Sequence, residues 1–124
     1  MVALVSAPRA DGPDATEFLR VLAALRAFEV SIELFEAGRG VGALSAHAEL
    51  SEDAERYLTA LREDGITVEG PAGLPGALAA ATAVLHLADP ERIGTPEVFE
   101  IERGQSLTDD DVASLLAAGQ ARIR

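Results

Sequence analysis

The stretch whose reading decides the fold is Val2–Leu44, VALVSAPRADGPDATEFLRVLAALRAFEVSIELFEAGRGVGAL. Val2 to Val5 is a short unbroken apolar run, the pattern of a strand buried on both faces in a parallel sheet. Ser6-Ala7-Pro8-Arg9-Ala10-Asp11-Gly12-Pro13 interrupts it with turn formers. Asp14 then reads as a helix N-cap, with Glu17 completing a capping-box-like pair. Phe18, Leu22, Leu25 and Phe28, with Val21 beside them, recur at helical spacing and predict one buried face, leaving Arg20 and Arg26 toward solvent. Val30 to Phe35 alternates and predicts a second strand with Val30, Ile32 and Leu34 on one side. Strand, helix and strand in so short a span make a βαβ unit, and its crossover is right-handed almost without exception. Ligands of open parallel sheets bind outside the carboxyl ends of the strands, here the loops Ser6 to Pro13 and Glu36 to Val41.

Downstream, Gly38-Arg39-Gly40-Val41-Gly42 forms a loop suited to close approach, and Ala43 to Leu50 a short helical link. Ser51 caps a helix over EDAERYLTALRED, with Ala54, Leu58 and Leu61 inward and Gly65 as its stop. Ile66 to Glu69 is a third strand and Gly70 to Gly76 a loop. Ala77 to Ala83 predicts a short helix and Val84 to Leu87 a fourth strand, with one continuous helix over this Ala-rich run as the other reading. Asp89 to Pro96 is polar and turn-rich, Val98 to Ile101 alternates like an edge strand or hairpin arm, Thr108 opens a helix carrying Val112, Leu115 and Leu116, and Ala121 to Arg124 is a last strand closing the sheet.

Composition narrows the function. A chain of 124 residues has the size of one domain, and 48% hydrophobic residues supply its core. A net charge of −11 spreads a negative field that repels nucleic acid and anionic membranes. All the basic residues are Arg. No segment approaches the ~18 consecutive apolar residues of a membrane span, and no basic leader or cleavage site opens the chain, so a cytoplasmic protein is expected. The absence of cysteine excludes disulfides, thiolate metal sites and a cysteine nucleophile.

Four places carry a family resemblance: the opening strand ending in Ser6-Ala7-Pro8, the helix RVLAALRAFEV running into VSIELF, the Gly-Val of AGRGVGAL, and AERYLTALREDGITVEG. With these, and with VASLLAAGQARIR at the end, the chain resembles the DsrE/DsrF/TusBCD family of sulfur-relay proteins. The resemblance implies a three-layer α/β/α fold with a mostly parallel sheet, related to flavodoxin, and assembly into homotrimers, hexamers or complexes with related subunits. It also implies a site just after the third strand, where persulfide-carrying members keep a cysteine. Here that segment is Val68-Glu69-Gly70-Pro71, and sulfur transfer needs a thiolate that the chain does not have. Family subunits without the cysteine serve as structural partners, so a non-catalytic domain acting through oligomerisation, or as a partner or small-ligand-binding subunit, is the expected function.

The alternative is an enzyme or a nucleotide- or anion-binding protein using the loops after strands one and two. Gly38-x-Gly40-x-x-Ala43 formally fits a dinucleotide fingerprint, although it follows the second strand, and the acid after it, Glu69, is farther off than the usual ~20 residues. Ser6, Arg9 and Asp11 on one loop and Arg39 on the next would form an anion pocket with Gly40 and Val41. Glu69, beside Gly70, and His86 are candidate acid or base groups. The commoner state of a His in an apolar run is a hydrogen-bonded core residue, and of loop arginines a solvated surface. His47 and His86 lack the carboxylate spacing of a metal site, and no cofactor is expected.

Overall fold

The computed structural model describes residues 1–7, 10, 12–45, 50–87, 97–101, 108, 110 and 119–123. Its elements are β1 (Val2–Val5), α1 (Pro13–Ala27), β2 (Glu33–Glu36), α2 (Glu52–Glu63), β3 (Val68–Glu69), α3 (Leu74–Ala80), β4 (Val84–Leu87), β5 (Glu97–Ile101) and β6 (Gly119–Ile123). Single 3-10 turns span Gly38–Gly40 and Pro71–Gly73. β1 to β4 form one sheet in the order β3-β2-β1-β4, and every pairing is parallel. The fold is therefore α/β, with β1 at the point where the chain, having stepped outward to β2 and β3, returns to its other side.

The apolar run of β1 is buried along its whole length, because both faces of the sheet are covered. Ala3, Val5, Ile32 and Leu34 pack against Phe18, Leu19 and Leu22 of α1 and Ala54, Leu58 and Leu61 of α2. On the opposite face Val2, Leu4 and Phe35 meet Leu74 and Leu78 of α3. Each fully enclosed Leu or Phe contributes about 2 kcal/mol through area removed from water. Two-sided burial is what turns a VALV run into a central strand.

Local signals set most of the boundaries. Ser51 caps α2, its hydroxyl accepting from Ala54 N–H at 3.1 Å, and Gly65 ends that helix at φ +87°. The hydroxyls of Ser51 and Thr16 lie 2.9 Å apart and tie the starts of α1 and α2 together. Of the two readings of the Ala-rich run, a helix followed by a strand and one continuous helix, the structure has the first, with β4 over the same four residues as predicted.

Several expectations need correcting. The N-cap of α1 is Gly12, not Asp14; Pro13 takes the first helical position, where no N–H partner is required, and Glu17 accepts from Arg20 at 2.8 Å rather than closing a capping box. Phe28 is 83% exposed, since α1 ends at Ala27 and the backbone leaves the helical path before the predicted stripe is complete. Arg26 is not turned out to solvent; its Nη1 donates to Val30 O at 3.1 Å. The third helix begins at Leu74 and ends at Ala80, because Pro75 fits inside a first turn instead of marking a loop. β6 does not close the main sheet; it pairs with β5 in a separate parallel ladder, with Val98 opposite Gln120. Part of the link at 46–49, the turn-rich segment at 89–96, and Val112, Leu115 and Leu116 lie outside the described residues.

Candidate functional site

All four strands of the main sheet run in one direction, so Ser6, Ala37, Gly70 and the end of β4 emerge on one rim. The strand order reverses between β1 and β4, and the crevice outside the carboxyl ends at such a point is where open α/β sheets hold ligands. Two of the predicted site residues meet there. Ser6, the first residue beyond β1, has its Oγ 2.7 Å from Nε2 of His86 in β4. Ser6 is almost enclosed and His86 half-buried. Desolvation pushes the imidazole down to about 4, so the ring is neutral across the physiological range. Its Nδ1 is enclosed and has no hydrogen-bond partner among the described residues.

The loop after β2 packs on the main chain at the same end of β1. A Cβ on Gly40 would lie 2.7 Å from Ser6 Cα and closer still to Val5 O, so only glycine lets this turn rest on the end of β1. Val41 beside it is 58% exposed, and Arg39 is on the exposed side of the same turn. The close approach foreseen for this loop is thus made to the chain's own backbone.

Glu36, at the end of β2, is the functional-looking residue that sequence reasoning passed over. It is buried at 4% exposure, and its carboxylate accepts the amides of Leu44 and Ser45 at 2.8 and 3.0 Å and the Ser45 hydroxyl at 2.8 Å. Burial alone would raise its pKa. The hydrogen bonds from Ser45, Leu44 and Gly42 outweigh that and hold it below the usual carboxylate value. Amides that a phosphate would use in a glycine-rich loop are therefore engaged by an internal carboxylate. The one signal available in advance was an acid directly following an apolar strand and preceding a glycine-rich turn.

Glu69 and Gly70 lie elsewhere on the rim. With Pro71, Ala72, Gly73 and Pro75 they line an open groove of about 470 Å³ beyond β3. Glu69 pairs in register with Phe35, Phe35 with Leu4, and Leu4 with His86, so the two candidate acid–base groups occupy one row across the sheet. Three strand spacings separate them, about 14 Å. They do not form one catalytic pair. Arg9 and Asp11, expected on the loop after β1, lie outside the described residues.

Among the described residues no group of three or more His, Asp or Glu side chains is placed to hold a metal ion, and no helix is long and apolar enough to cross a membrane. Comparison with family models, with curated proteins and with solved structures finds no match to this chain.

Proposed function

We propose that the chain is a DsrE-like domain of the flavodoxin-related, three-layer type that carries no sulfur and instead holds a small molecule at the rim outside the carboxyl ends of β1 and β4, where open α/β sheets have their binding crevice. The observation that carries this reading is the meeting of Ser6 and His86 at 2.7 Å where the strand order reverses. Nε2 of the imidazole is taken up by the hydroxyl and Nδ1 is enclosed, so the pair offers a ligand the remaining capacity of the Ser6 oxygen, as acceptor or donor according to the imidazole tautomer, without fixing a charge. The resemblance adds support through the alternation of strands and helices from β1 to β4 and through the groove at Glu69 and Gly70, the segment where relatives keep their cysteine. Without a thiol this rim binds rather than relays sulfur.

Self-association as a trimer or hexamer accompanies the resemblance, and the exposed Phe28 and Val41 are apolar side chains available to it. A nucleotide or other anion is the weaker occupant, given a net charge of −11 and the engagement of the Leu44 and Ser45 amides by Glu36.

Thermal-shift screening with phosphate, nucleotides, small organic acids and small uncharged esters and amides tests the crevice. Stabilisation by an uncharged compound that is lost in His86→Gln supports the reading; stabilisation by phosphate or nucleotide that is lost in Arg39→Ala replaces it with the anion pocket. Light scattering coupled to size-exclusion chromatography reads the assembly, and a monomer at micromolar concentration overturns that part.

A further inference from the structure

We propose that Ser6 is a nucleophile that accepts an acyl group from a small uncharged ester, with His86 as its base. The inference rests on the crevice being a ligand site and adds a chemical step to it. Three observations carry it. The hydroxyl and the imidazole are already at the 2.7 Å separation that proton transfer requires, before any substrate is bound. The pair stands at the carboxyl end of a central strand, immediately before the loop leading into α1, at the strand-order reversal. The packing of Gly40 on Val5 and Ser6 fixes the backbone that presents the hydroxyl.

With the imidazole proton on Nδ1, Ser6 Oγ donates to Nε2. Attack of Oγ on the ester carbonyl forms the new C–O bond as its proton passes to Nε2. Collapse of the tetrahedral adduct breaks the bond to the leaving alkoxide, which takes that proton and departs as the alcohol. Water, deprotonated by the same nitrogen, then releases the carboxylic acid and restores Ser6.

Three features set the pace, the first being that burial leaves the imidazole a weak base, pushed down to about 4. Nδ1 has no carboxylate among the described residues to stabilise the imidazolium, and the amides of Ser6 and Ala7 both donate to Leu87 O, at 3.0 and 3.2 Å, rather than into the crevice. Acylation and deacylation are therefore both slow, and a trapped adduct is the proper readout. The negative field around the chain disfavours anionic esters.

The experiment treats the native protein with p-nitrophenyl acetate and, separately, with diisopropyl fluorophosphate, and locates adducts by peptide mass spectrometry. Expected are modification at Ser6 ahead of the exposed Ser31 and Ser45, its disappearance in Ser6→Ala, and at least a roughly tenfold slower reaction in His86→Gln. An unmodified Ser6, modification spread evenly over the serines, or a rate indifferent to His86→Gln overturns the proposal. Should a variant fail to fold, the position of the adduct in the native chain decides. Uncharged compounds that raise the Tm while Ser6 stays unmodified refute the nucleophile and keep the binding site; absence of both effects refutes both.

Discussion

Glu29 and Gly65 occupy the same place in two turns of identical design. In each, the residue adopts a left-handed conformation, φ +62° at Glu29 and +87° at Gly65, immediately after a helix C-cap. Val30 N–H reaches back to Leu25 O and Glu29 N–H to Arg26 O after α1; Ile66 N–H reaches Leu61 O and Gly65 N–H Arg62 O after α2. Both are Schellman closures, and only one has the residue that the geometry favours. Glu29→Gly should raise stability by about 1 kcal/mol, and Gly65→Ala should lower it by about as much. Urea unfolding of the two variants checks the signs, which must be opposite.

Gly40 has no such freedom of exchange. A methyl group there would enter the space of Val5 O and Ser6 Cα, which are main-chain atoms of a buried strand and cannot rotate away. Gly40→Ala should cost about 3 kcal/mol. Gly42→Ala, with open space around it but φ +88°, should cost about 1 kcal/mol from backbone strain alone. Comparing the two by thermal unfolding separates crowding from conformation.

Glu36→Gln keeps the shape of the side chain but presents an amide NH2 to donors. With Leu44 N–H, Ser45 N–H and the Ser45 hydroxyl deprived of a carboxylate, a loss of about 2 kcal/mol is expected. Because the folded-state pKa of Glu36 is lowered, its contribution is present above the unfolded value and disappears as pH falls through the folded one. The stability difference between wild type and Glu36→Gln should therefore narrow in acid.

His86 gives a second acid dependence. Its folded-state value of about 4 lies below the ordinary 6.5, so the unfolded chain binds the extra proton between those limits. Stability should be at its plateau above pH 6.5 and decline toward pH 4, by about 3 kcal/mol in total. In His86→Gln the decline over that window should be reduced by this amount, as read from chemical unfolding at a series of pH values.

The elements that were legible in the sequence are those whose signals are local. β1 announced itself by an unbroken VALV, and α2 by Ser51 at one end and Gly65 at the other. Phe28 failed because helical spacing says nothing about where a helix stops, and α3 moved because proline both ends helices and begins them. The pairing of Ser6 with His86 bridges 80 positions along the chain, and no spacing rule foretells it; only the return of β4 to the free side of β1 brings them together. The same topology kept Glu69 apart from His86, though both had been candidate acid or base groups. Glu36 escaped notice because a carboxylate at a rim reads as solvated until the loop that folds over it is known.

β3 contributes just two residues, Val68 and Glu69, to a ladder in which β1 is held on both sides. A margin stitched so lightly will trade its amide hydrogens with deuterated solvent long before Ala3 or Leu4 does. Glu69, the strand residue in the lining of the Glu69–Pro75 groove, thus sits on the strand of the main sheet with the fewest paired residues, two against the four by which β4 is held.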